Sequence, residues 1–175
     1  MIVITGRTGV GKSTIIRKSK VDNYIEIDSI IKNIFYKRNF RLYWDIKKEF
    51  GNKSVSFLKV KTKTLGKIVF SDEKKLAKLN QIVKPYIRAY LMVLKESKLE
   101  YIVEMAIYMV HEEWYKDLFN KVILIDRKPH LEHKFTYLNK AIQPINNIGI
   151  HSDLTINTED LHLAVKKLDT FLKLE

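Results

Sequence analysis

The stretch that decides the fold is Gly6–Ser13, "GRTGVGKS", within the opening "MIVITGRTGVGKSTIIRK". It satisfies the spacing G-x-x-x-x-G-K-[ST] in full, through Gly6, Gly11, Lys12 and Ser13. The flanks supply the context such a loop needs. Met1–Thr5, "MIVIT", is a short β-branched run of the kind that forms a buried parallel strand, and "TIIRKSK" after Ser13 opens a helix. Glycines let the backbone turn consecutive N–H groups toward phosphate oxygens. The sequence therefore predicts a phosphate cradle formed by Gly9, Val10, Gly11, Lys12, Ser13 and Thr14. In it Lys12 reaches the β- and γ-phosphates of ATP, the Ser13 hydroxyl is a ligand of Mg²⁺, and Thr14 contacts the α-phosphate.

Working outward, four further short apolar runs recur: "YIEID" (Tyr24–Asp28), "YIVEMAI" (Tyr101–Ile107), "KVILID" (Lys121–Asp126) and "DLTIN" (Asp153–Asn157). With helical sequence between them they predict an α/β fold, a P-loop three-layer sandwich of about five parallel strands with ligands at the strands' carboxyl ends. Ser71 is expected to cap a helix carrying Leu76, Leu79, Ile82 and Val83. Pro85 is expected to break or kink it and to start a second helix with Ile87, Tyr90, Leu91 and Leu94 on one face. Asn157 is expected to cap the final helix. The 175 residues read as a single kinase domain, with a helical substrate-binding insertion over about 33–98 and a short lid over about 127–150. The aromatics Tyr36, Phe40, Tyr43, Trp44 and Phe50 are read as core in preference to a ligand stack.

Composition narrows the partners. Net charge is +12, but only six of the 32 basic residues are arginine, and the lysines are spread along the chain among abundant Ile and Asn. The densest runs, "KVKTKTLGK" and "RKSK", lack the aromatic interleaving of a base-stacking surface, so nucleic acid is not expected as a partner. No apolar run approaches the roughly 20 residues of a membrane span, and the N-terminal strand leaves no room for a secretory signal. Cysteine is absent, which suits a cytoplasmic protein. The clusters "HEE" (His111–Glu113) and "HSD" (His151–Asp153) lack partners at metal-ligand spacing and read as surface or capping groups. Two carboxylates attract more attention. Asp28, closing the second strand on the P-loop edge, is a candidate base or orienter for an acceptor hydroxyl, and Glu26 a weaker one. Glu104 either holds the magnesium's water or simply ends its strand.

At this point the chain resembles the dephospho-coenzyme A kinases. "ITGRTGVGKSTI" is similar to that family's T-G-G-I-G-S-G-K-S-T. "YIEIDSIIKNI" is close to its D-A-D-x-I, with Glu26 and Asp28 at the two acids. "TLGKIVFSDEKKLAKLNQIVKPYI" follows its L-G-x-x-V-F and I-x-H-P-x-I through Leu65, Gly66, Val69, Phe70, Leu79, Asn80, Ile82, Pro85 and Ile87. The resemblance implies transfer of the ATP γ-phosphate to the ribose 3′-hydroxyl of dephospho-coenzyme A. Asp28 would be the hydroxyl's base or orienter, Asn157 would lie near the nucleotide base, and Lys84 and Arg88 would bind substrate. Lys84 stands where the family has histidine, Thr62 where it has arginine, and Leu131–Asn139 carries no arginine where the family has lid arginines. Arg88, Arg127, Lys128, His133, Lys134 and Lys140 are the possible stand-ins. Two alternatives stay open: a P-loop kinase for a nucleoside or nucleotide, and a nucleotide-binding protein without catalysis.

Overall fold

The computed structural model describes residues 1–7, 9–97, 99–110, 117–127 and 151–174. Its central sheet has five strands, β1 (Ile2–Thr5), β2 (Tyr24–Glu26), β5 (Ile102–Glu104), β6 (Lys121–Asp126) and β7 (Leu154–Asn157), in the order β2-β5-β1-β6-β7. Every pairing is parallel. From β1 the chain crosses past the β5 position to β2, whereas β6 and β7 lie on the other side of β1. The chain therefore diverges in direction beside β1, the place where an open α/β sheet offers a crevice at its carboxyl edge.

Alternation along the strands sorts side chains into two cores. Ile2 and Ile4 of β1, Ile102 of β5 and Ile123 and Ile125 of β6 pack with Ile15 and Ile16 of α1 (Lys12–Lys18) and with Ala164 and Leu168 of the C-terminal helix α8 (Leu161–Leu172). Met1, Val3, Val103 and Met105 face the other way, into a larger core built by the segment between β2 and β5. That segment opens with α2 (Ile27–Ile30), which passes through a π-helical turn (Ile31–Phe35) into α3 (Tyr36–Arg38). It continues through α4 (Phe40–Phe50), a 3₁₀ turn (Asn52–Ser54), a two-stranded hairpin β3–β4 (Val55–Ser56, Lys59–Val60), α5 (Thr62–Val69) and α6 (Glu73–Glu96). A single turn of helix, α7 (Ile107–Val110), follows β5. Among the described residues no helix is long and apolar enough to cross a membrane.

The structure corrects several local expectations. Asp72, not Ser71, caps α6, its carboxylate accepting from the N–H groups of Lys74 and Lys75. The helix does not break at Pro85 but runs unbroken for 24 residues. Leu76, Leu79, Val83, Ile87 and Leu91 form one continuous buried stripe across the proline, while Pro85 itself lies on the exposed side, where a freed carbonyl is open to solvent. Asp160, rather than Asn157, caps α8 by accepting from Leu163 N–H. β2 ends at Glu26, so Asp28 sits in the first turn of α2 instead of closing the strand. Of the aromatics read as core, Tyr36 and Tyr43 are buried, whereas Phe40 and Trp44 are 57% and 47% exposed, with Lys47 Nζ 4.5 Å above the Trp44 ring. The lid region beyond Arg127 and the "HEE" cluster lie outside the described residues. In "HSD", Asp153 accepts from Val122 N–H and fixes the start of β6.

The hairpin β3–β4 turns on Phe57 and Leu58, both at positive φ (+36° and +63°) and 91% and 51% exposed. A two-residue hairpin turn of this kind suits Asn-Gly, and left-handed backbone costs a residue bearing a Cβ about 1–2 kcal/mol. Replacing the pair by Asn and Gly (Phe57→Asn with Leu58→Gly) is expected to raise stability by about 1 kcal/mol, after the added unfolded-state freedom of glycine is counted. Thermal melting checks this: an increase of about 2–4 °C is expected, and a decrease would mean that the turn is not strained.

Candidate active site

The loop after β1 is held against the sheet by backbone contact. A Cβ on Gly6 (φ +152°) would stand 2.2 Å from the carbonyl oxygen of Ile125 in β6, so only glycine permits this approach. Gly11 (φ +96°) forms the N-terminal boundary of α1, which has no side-chain cap there. Val10 contributes main chain only, because its side chain is buried among Ile15, Ile125 and Ile156. The Val10 carbonyl accepts a buried 2.6 Å hydrogen bond from Thr158 Oγ1, and Thr158 N–H donates to Asp126 O at 3.1 Å. The loop is thus buttressed from β6 and from the turn that follows β7.

Lys12 folds back over the cradle, Nζ donating to the carbonyls of Gly6 and Arg7 at 3.0 Å each. Burial lowers its pKa, opposed by the carboxylates of Glu104, Asp28 and Glu26 in that order of strength. Ser13 Oγ donates to Glu104 Oε1 at 3.0 Å, and the phenol of Tyr24 donates to Glu104 Oε2. Glu104 ends β5, beside Ile4 of β1, and is 8% exposed. Its carboxylate is therefore satisfied by two hydroxyl donors and lies near the Lys12 ammonium. Of the two roles expected for Glu104, ending the strand is plainly true, and its pairing with Ser13 goes beyond that. The Tyr24 phenol is pushed up, by burial first and then by its bond to Glu104, and so stays a protonated donor.

Asp28 is exposed at the open rim, while Glu26 is half-buried and lies level with Glu104 across the β2–β5 pairing. The Tyr36 phenol is raised by burial and, secondarily, by Asp28. Glu26 is held above the ordinary carboxylate range by burial first, then by Glu104 and Asp28.

The remaining expected site residues are more dispersed. Thr14 is exposed on the outer rim of the loop. Asn157 is exposed at the end of β7, its Oδ1 accepting from Glu159 N–H at 2.7 Å; its neighbour Thr158 is the residue that touches the P-loop. Lys84 and Arg88 lie on α6. Burial lowers the Lys84 pKa, and the Arg88 fork is engaged by both oxygens of Asp117 at 3.0 and 2.8 Å. Arg127 follows β6 at the same edge as the P-loop; its Nε is buried and has no hydrogen-bond partner among the described residues. Tyr24 and Thr158 escaped the sequence reading. Tyr24 shares strand parity with Glu26, but only the β2–β5 register reveals that it reaches Glu104.

A parallel sheet in this order, a glycine loop closed on β6 and a lysine poised in that loop define a P-loop phosphotransferase. The chain belongs to the dephospho-CoA kinase family, whose profile (CoaE) matches residues 1–141. It is similar to the dephospho-CoA kinase of Mycoplasma genitalium, with 29% identity over 190 aligned positions covering 99% of this chain and 93% of that one. The Mycoplasma pneumoniae dephospho-CoA kinase is 27% identical over 73% of this chain and 66% of its own. Among solved structures, TT1252 from Thermus thermophilus superimposes with a TM-score of 0.63 at 21% identity, covering 99% and 97% of the two chains. The Campylobacter jejuni dephospho-CoA kinase gives 0.56 at 21% identity over 98% and 95%. At that identity the two structures show a shared fold. The reaction is ATP-dependent phosphorylation of dephospho-coenzyme A, a transfer to an alcohol group in coenzyme A synthesis.

The crowding of Glu26 makes a pH prediction. Its folded pKa is raised above 4.5, so the folded state holds the proton more tightly than the unfolded chain. Stability from this group is present at low pH and lost as pH climbs through the window above 4.5. Glu26→Gln is expected to melt higher than the parent at neutral pH, with the difference closing at about pH 4. Equal melting temperatures at neutral pH would show that Glu26 carries no strain.

Proposed function

We propose that Lys12, Ser13, Glu104 and Asp28 carry the transfer of the ATP γ-phosphate to the ribose 3′-hydroxyl of dephospho-coenzyme A, in the cytoplasm. The observation that supports this reading is the Ser13–Glu104 hydrogen bond formed beside the Lys12 ammonium at the carboxyl end of β1. Main-chain N–H groups of Gly9, Val10, Gly11, Lys12 and Ser13 bind the β-phosphate, and Thr14 the α-phosphate. Lys12 exchanges its two carbonyl partners for phosphate oxygens, which suits a side chain already poised over the cradle. Asp28, exposed at the rim, accepts or orients the proton of the 3′-hydroxyl as that oxygen attacks phosphorus and ADP departs.

The donor set suits Mg²⁺. An ion that arrives with the triphosphate takes only one or two protein oxygens and keeps most of its shell as water and phosphate oxygen. Ser13 would be its direct ligand and Glu104 would hold one of its waters. When bound, the ion neutralises charge on the β- and γ-oxygens. Because the Ser13 hydroxyl hydrogen is directed at Glu104, the oxygen's lone pairs are left for a cation.

The segment 33–98 serves as the acceptor insertion, with Lys84 and Arg88 toward substrate, and about 127–150 serves as the lid. Arg127, whose buried Nε lacks a partner among the described residues, is the stand-in we favour for the missing lid arginines. Asn157 lies toward the nucleotide base.

Coupled ADP release with Mg-ATP, with and without dephospho-coenzyme A, tests the proposal when the 3′-phosphorylated product is identified by mass. Lys12→Ala is expected to reduce turnover by about 10²–10³-fold. Asp28→Asn is expected to cut kcat by about 10²–10⁴-fold while leaving the KM for ATP nearly unchanged. Normal turnover by either variant would remove that residue from the mechanism.

A further inference from the structure

The Ser13–Glu104 pair has a third member that the phosphoryl-transfer scheme does not use. Tyr24 opens β2, the edge strand, and its ring lies partly buried against the core that Ile2, Ile4, Ile15 and Ile102 form under α1. The β2–β5 register sets Tyr24 opposite Ile102 and Glu26 opposite Glu104, so Tyr24 and Glu104 share one face of the sheet two residues apart. The phenol spans that diagonal and donates to Glu104 Oε2, while Ser13 donates to Oε1. Each carboxylate oxygen thus has one donor, and together they fix both the rotation of the carboxylate and the direction in which the Ser13 hydroxyl points.

We propose that Tyr24 is a positioning residue that locks Glu104 so that Ser13 presents its lone pairs to the nucleotide's divalent cation. A glutamate has one more torsion than an aspartate, and an unanchored one at this edge would spread over several rotamers. Tyr24 prevents this. It also explains why a phenol occupies a strand position where an aliphatic side chain would fill the same core.

The inference rests on the proposed cation role of Ser13, and the test separates the two. Calorimetry would measure ADP affinity with and without Mg²⁺ for the parent, Tyr24→Phe and Ser13→Ala. Tyr24→Phe removes one hydroxyl and leaves the ring packing. The expected result is a loss of about ten-fold in the Mg²⁺-dependent gain in affinity, with Mg²⁺-free affinity unchanged. In Glu104→Gln the phenol has lost its carboxylate, so adding Tyr24→Phe should cost little more. A parental Mg²⁺ gain in Tyr24→Phe, or equal losses with and without Mg²⁺ accompanied by a lower melting temperature, would overturn the proposal and leave Tyr24 a packing residue. If Ser13→Ala retains the full Mg²⁺ gain, it is the cation assignment that fails, whatever Tyr24 does.

Discussion

The contact between the Gly6 backbone and the Ile125 carbonyl is the constraint from which the rest of the site follows. Any side chain at position 6 would collide with β6, so the loop can lie flat across the carboxyl edge only because this residue has none. Lying there, it brings the Val10 carbonyl under Thr158 and places Lys12 above the carbonyls of Gly6 and Arg7. It also sets the first turn of α1 against β5, which is how Ser13 meets Glu104. Remote segments of the chain therefore converge on one short turn.

Three carboxylates crowd this phosphate-binding edge, an arrangement that would repel a polyanion if they acted alone. Lys12 answers them in part, at the expense of its own solvation, and the hydroxyls of Ser13 and Tyr24 answer Glu104. The protein's overall charge of +12 has little to do with this balance, since it is spread as solvated lysine across the surface.

Much of this was legible in the residues. The P-loop spacing, the β-branched runs and the Leu65–Ile87 block led to a parallel sheet and a kinase family, and both are found. What could not be read was long-range or decided by tertiary packing. Pro85 carries a strong local signal for ending a helix, yet the buried stripe from Leu76 to Leu91 outweighs one lost hydrogen bond on the solvent side. Cap positions slipped because Ser71 and Asp72, or Asn157 and Asp160, are equally suited chemically and only the exact entry angle of the chain chooses between them. Tyr24 and Thr158 were invisible because their partners lie 80 and 148 residues away in sequence.

The larger of the two cores has no seam. Met1, Val3 and Val103 from the sheet sit in the same apolar cluster as Leu42, Ile46, Leu65, Val83 and Leu91 from the segment between β2 and β5. That segment is therefore no detachable cassette: lifting it away would strip one whole face of the central strands. Variation within such an architecture has to come through substitutions on the segment's outer surface. Exchange of the segment as a unit is closed to it, because any replacement would have to rebuild half of the protein's interior at the same time.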